Sequence, residues 1–153
     1  MKTLSQLIEE KKFDWVNSDI EKNFTATEVP KDTEYKLFHF DRRILSEDAV
    51  KEIEKEGWRP ANISELLSWK DWKDEWVIAL SSVARVGGYR GVPYLGGFDS
   101  RRDLNLYWFG DGWFSDYRFL AVRNSVSQTL ELTLKSLESR IEKLEEVVKS
   151  HNL

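Results

Sequence analysis

The chain has 153 residues, 41% hydrophobic and 33% charged, with a net charge of −4, the balance of one folded domain plus an appendage. No apolar run approaches the roughly 20 residues of a membrane span, and MKTLSQLIEEKKF lacks a secretory leader's apolar stretch, so a cytoplasmic location is the default expectation. The absence of cysteine excludes disulfides, thiol catalysis and Cys-ligated metals.

Thr3 and Gln6 match a capping box and predict a short, exposed or docking helix with Leu4, Leu7 and Ile8 on one side. Residues 15–33 have no clean period and read as irregular. From Tyr35 to Asp41, Tyr35, Leu37 and His39 alternate with Lys36, Phe38 and Phe40, the pattern of a strand buried on both faces. Ser46 is expected to cap a helix with Ala49, Val50 and Ile53 inward and Gly57 as its stop. Asn62 with Glu65 opens another helix carrying Ile63, Leu66 and Leu67. The apolar run Trp76–Leu80 predicts a central strand, and the glycines between Gly87 and Gly97 predict loops around a short strand, Val92 to Leu95. Leu104–Phe109 and Trp113–Val122, joined through the turn dipeptide Asp111-Gly112, read as a terminal hairpin. If Leu104, Leu106 and Trp108 face inward, then Tyr107 and Phe109 lie opposite, where they either pack a second layer or bind something.

All eight glycines, all twenty aromatics and all three prolines precede Asn124. That shift divides the chain into an aromatic-rich α+β domain, 1–124, and a helix, 125–153. In the helix, Leu130, Leu134, Leu137, Ile141, Leu144 and Val148 recur at spacings of four and three, a heptad seam with Leu134, Ile141 and Val148 at a and the others at d. Branched a positions with leucine at d lean toward a parallel dimer, with Arg140 at g facing Glu145 at e; a trimer stays open. The competing expectation is an amphipathic helix folded back on its own body.

Signals for chemistry are sparse. The only histidines, His39 and His151, have no second histidine at a metal-binding spacing. No nucleophile, Walker or dinucleotide motif occurs, so neither a catalytic residue nor a cofactor is assigned. Asp99, Asp103, Asp111 and Asp116 could offer oxygen ligands to calcium or carboxylates to a hydrolase or transferase, but they lack EF-hand spacing, and no metal ligand is assigned. From residue 85 to 123 every basic residue is arginine, for which Arg–Asp pairing between loops is the structural reading. The functional reading is a binding surface, with Tyr89, Arg90, Tyr94, Arg101, Arg102, Tyr107, Trp113 and Tyr117 as candidate contacts for a protein or glycan. Nucleic-acid or anion binding is the alternative, opposed by a pI of 5.3; a structural assembly subunit is a further one.

The segment GWRPANISELLSW, residues 57–69, resembles a helix-entry motif of the C-type-lectin-like superfamily, in the branch with formylglycine-generating enzymes and retroelement variable proteins. YRFLAVRN, residues 117–124, is similar to the strand that closes those domains, and VIALSS to a core strand between them. The resemblance covers about residues 35–124 and implies short helices packed on a small, twisted, mostly antiparallel sheet, used as a binding platform. The copper-binding cysteine pair of the oxidising enzymes and the E-P-N and W-N-D motifs of animal lectins are missing, so neither activity is implied.

Overall fold

In the computed structural model, which describes residues 1–123 and 126–151, helices α1 (Leu4–Lys11), α2 (Asp19–Asn23), α3 (Ser46–Lys55), α4 (Ile63–Ser68) and α5 (Val126–His151) accompany eight strands. These are β1 (Trp15–Val16), β2 (Glu34–Phe38), β3 (Arg59–Pro60), β4 (Val77–Ile78), β5 (Ala84–Val86), β6 (Tyr89–Gly96), β7 (Asp103–Trp108) and β8 (Arg118–Arg123). The protein is therefore mixed α+β. Local chemistry explains two of the helix starts. Thr3 Oγ1 accepts from Gln6 N at 3.2 Å while Gln6 Oε1 accepts from Thr3 N at 2.8 Å, and Asn62 and Glu65 exchange the same pair of bonds at 2.9 Å each. Each box satisfies N–H groups that a helix end would leave orphaned.

All eight strands form one mixed sheet with the order β1-β7-β6-β4-β8-β2; β3 joins β8, and β5 joins β6. Pairing is antiparallel except for β1 with β7 and β4 with β8. The short apolar run supplies β4, whose Val77 and Ile78 are wholly buried between β6 and β8. Apolar side chains on both sides fit a strand flanked by two neighbours and covered on both faces.

Several expectations are corrected. Residues 15–33 hold β1 and α2, two and five residues long, too short to show a period. The glycine-rich stretch is a hairpin, because Gly87 (φ +57°) and Gly88 (φ +86°) supply the left-handed turn that joins β5 to a long β6. The terminal hairpin is absent: β7 pairs with β6 and β1, whereas β8 starts only at Arg118 and pairs with β2, β3 and β4. Ser46 does not cap α3; Leu45 holds the cap position without a side-chain bond. The Ser46 hydroxyl instead donates to Phe109 O at 2.6 Å and accepts from Trp113 Nε1 at 2.8 Å.

Strand alternation distributes the core over both faces. Leu95, Leu104, Leu120 and Val122 meet α1 and α4 on one face, through Leu4, Leu7, Ile8, Ile63, Leu66 and Leu67. On the other, Ile78, Val92 and Phe119 meet Ala49 and Ile53 of α3 together with Trp113 and Tyr117. Tyr107 thus packs a second layer, its ring centroid 5.0 Å from that of Trp113.

Helix α5 includes the predicted heptad seam. Leu130, Leu134, Leu137, Ile141, Leu144 and Val148 are between 46% and 65% exposed, so the single chain leaves this ridge uncovered. The domain boundary expected at Asn124 lies outside the described residues. Among the described residues, no helix is long and apolar enough to cross a membrane.

Candidate ligand-binding surface

The eight candidate contacts do not converge on one place. The β6–β7 ladder has six residue pairs, Gly91↔Trp108 through Gly96↔Asp103, a span of about 17 Å at the usual rise per residue. Tyr89 and Arg90 lie at one end; Arg101 and Arg102 lie in the connection at the other; Tyr94 and Tyr107 stand between them.

At the first end, the Gly87-Gly88 turn brings Tyr89 onto the sheet one residue before Arg90. Alternation then sends the two side chains to opposite faces. The Tyr89 ring, 65% exposed, lies 5.3 Å from that of Trp108 at an interplanar angle of 36°. The Arg90 guanidinium lies 4.2 Å from the centre of the Phe109 ring, within the range in which a cation is attracted by the ring face. Phe109 opens a short 3-10 turn, Phe109–Asp111, whose first carbonyl is held by the buried Ser46 hydroxyl. Each exposed group of this end therefore rests on a ring, and Phe109 is tied through its backbone to the core. Trp108 and Phe109 were not among the candidate contacts. The Gly-Gly turn was the signal that could have brought them in, because it fixes the β5–β6 hairpin beside them.

The middle of the ladder is packed aromatic structure. Tyr117 is the hub, with ring centroids 5.1 Å from Trp76, 5.4 Å from Trp113, 5.9 Å from Tyr94 and 6.1 Å from Tyr107. Trp113 at 0% and Tyr117 at 5% exposure are core residues, a correction to their reading as surface contacts. Burial, followed by the neighbouring Tyr94 and Tyr107 phenols, pushes the Tyr117 hydroxyl to a higher pKa. Burial also raises Tyr94, opposed by the hydrogen bond from Asn105 Nδ2 to its hydroxyl at 3.4 Å.

At the far end, Arg102 serves the fold. Its guanidinium lies 4.3 Å from the Trp72 ring centre and donates to Lys11 O at 2.9 Å, while its backbone N–H donates to Asp14 Oδ2 at 2.7 Å. Lys11 Nζ donates to Trp69 O at 2.5 Å, and burial together with the Arg102 charge pushes the amine down to about 8. Arg101 lies 3.3 Å from Asp103, the one Arg–Asp ion pair among the described residues. The expected Arg–Asp stitching is thus largely replaced by arginine on rings and on glutamate. Arg123, for example, lies 4.2 Å from the Trp58 ring centre and donates to Glu34 at 2.7 Å.

His39 is exposed, and its Nε2 lies 2.7 Å from Ser115 O. Asp99, Asp103, Asp111 and Asp116 occupy separate turns and a strand start. Among the described residues, no group of three His, Cys, Asp or Glu side chains is placed to hold a metal ion. Comparison of the chain with protein-family models, curated proteins and solved structures finds no match.

Proposed function

We propose that the chain is a non-enzymatic ligand- or protein-binding module of C-type-lectin-like fold, multimerised through α5. The observation that carries this reading is the uncovered ridge from Leu130 to Val148, with every seam residue about half exposed or more. An isolated helix gains little from such a ridge, whereas copies of the helix bury it against one another. Positions e of the two later heptads are Glu138 and Glu145. An antiparallel pair would set these carboxylates against each other, and a parallel pair sets Glu145 against Arg140 of a second copy. Parallel chains carry their globular domains at the same end, so weak contacts of single domains combine through effective concentration.

The lectin-like reading draws support from the strand positions. The string similar to a closing strand contains β8, whose Phe119 to Arg123 pair with β2, and the string similar to a core strand begins with β4, between β6 and β8. The contact surface in this proposal is the end built by Tyr89, Arg90, Trp108 and Phe109. Tyr89 already rests against Trp108 and Arg90 over Phe109, so little side-chain entropy remains to be lost on binding a protein or a sugar face. Arg59, Arg102 and Arg123 are engaged with Glu65, Trp72 and Glu34, which weakens the case for a nucleic-acid backbone as the ligand.

The test is display of the labelled full-length chain on protein and glycan arrays, beside a Tyr89→Ala/Arg90→Ala double variant. Binding by the parent chain that the double variant loses supports the proposal. Binding that the variant retains in full removes this surface from it, and no binding on either array removes the binding-module reading.

A further inference from the structure

The loop joining β6 to β7 combines three features that structure alone does not require. Asp99 (φ +54°) and Ser100 (φ +61°) are held in left-handed conformations without being glycine, at a cost typical of functional loops. Phe98 is 76% exposed, with its ring edge-on to Trp76 at 5.3 Å and 82°. Asp103 Oδ1 is buried and accepts no hydrogen bond, although such groups normally find a partner.

These features adjoin one another. Gly96 pairs with Asp103 across the ladder, and Trp76 lies so close over Gly96 that a Cβ there would come within 2.4 Å of the indole. The Trp76 indole N–H donates to Gly97 O at 3.2 Å, and a Cβ on Gly97 would lie 2.9 Å from Asp103 Oδ2. Carboxylate and indole thus both abut the Gly96-Gly97 backbone, and the Phe98 ring lies against the indole. Arg101 comes within 3.3 Å of Asp103 Oδ1 without hydrogen-bond geometry, and its side chain is 55% exposed.

We infer that this corner binds the guanidinium of an arginine side chain presented by a partner protein, and that Arg101 is its intramolecular stand-in. A carboxylate next to aromatic faces suits a planar cation, which forks onto the oxygens and stacks on the rings. Arg101 achieves neither in full, reaching one carboxylate oxygen at ion-pair distance only. An incoming arginine is free of the loop's constraint and completes both. The inference does not rest on the surface at Tyr89, about 17 Å along the ladder.

The experiment is NMR titration of the full-length ¹⁵N-labelled chain with N-acetylargininamide, following the Trp76 indole N–H, with neutral N-acetylcitrullinamide as control. Saturable shifts of that resonance are expected in the millimolar range. Arg101→Ala is expected to strengthen binding severalfold by removing the internal competitor, and Asp103→Asn to weaken it about tenfold by removing the charge. Phe98→Ala, at an exposed position that does not threaten folding, is expected to weaken it about threefold. The inference is overturned if Arg101→Ala shows no saturable shift up to about 50 mM, a concentration that would reveal even very weak binding. Equal shifts from the citrulline control also overturn it, as does unchanged affinity in Phe98→Ala.

Discussion

Replacing Ser46 by alanine tests whether the α3 start holds the Phe109 turn in place. The side chain is 0% exposed and sits between two groups, donating to Phe109 O at 2.6 Å and accepting from Trp113 Nε1 at 2.8 Å. Alanine removes both bonds and brings no polar atom in return. Trp113 is itself fully buried, so its N–H loses its partner without gaining water. An orphaned buried donor costs about 1–3 kcal/mol, and the carbonyl, in a partly buried turn, adds about 1 kcal/mol. The expected loss is therefore about 2–4 kcal/mol, a fall of roughly 8–16 °C in melting temperature for a domain of this size. Thermal and urea unfolding followed by near-UV circular dichroism measure it, and the Trp113 signal is expected to change even in the folded state. A loss below about 0.5 kcal/mol, the range of ordinary surface substitutions, would refute the reasoning that these bonds are isolated from solvent.

Three further outcomes follow from the packing. Gly96→Ala places a methyl 2.4 Å from the Trp76 indole at a φ of +146° and is expected to cost about 2–4 kcal/mol by urea unfolding, from overpacking and backbone strain together. Tyr89→Ala removes an exposed ring and is expected to change stability by less than about 1 kcal/mol while lowering any binding found on the arrays. Lys11 has its amine depressed to about 8 in the folded chain, against 10.5 for a free lysine, so the unfolded chain binds more protons between these values and stability rises with pH there. Tyr35, raised to about 12, acts oppositely, because the unfolded chain loses its phenolic proton first and stability falls above pH 10. The urea midpoint is therefore expected to rise from pH 8.0 to 9.5, inside the window set by the lysine and below the tyrosine limb, by more than it does in Lys11→Met.

Local signals proved legible wherever a short stretch sets its own conformation. The capping boxes at Thr3 and Asn62 depend on residues three apart, and the alternation from Tyr35 directs side chains to two faces, although the strand ends at Phe38 rather than Asp41 and leaves Lys36 and His39 exposed. The errors came from partners distant in sequence. Ser46 has a cap residue's chemistry, but Phe109 and Trp113, more than sixty positions away, claim its hydroxyl. Asp111-Gly112 is a turn, yet the chain leaving it crosses over the sheet as Trp113–Tyr117 before pairing with β2, because those rings fill the space above Ile78 and Val92. Choosing candidate contacts by residue type and loop position for the same reason mixed surface residues with core ones. Tyr89 and Tyr117 look alike in sequence, and only the ring packing of the second layer separates them.

The mass of the full-length chain in solution tests the proposed multimerisation most directly. Light scattering coupled to size exclusion at micromolar concentration is expected to give two or three times 18.0 kDa, reverting to one chain when Leu137 and Ile141 are both replaced by aspartate. A parent chain that stays at 18.0 kDa up to about 100 μM, where even a weak coil would associate, contradicts the account.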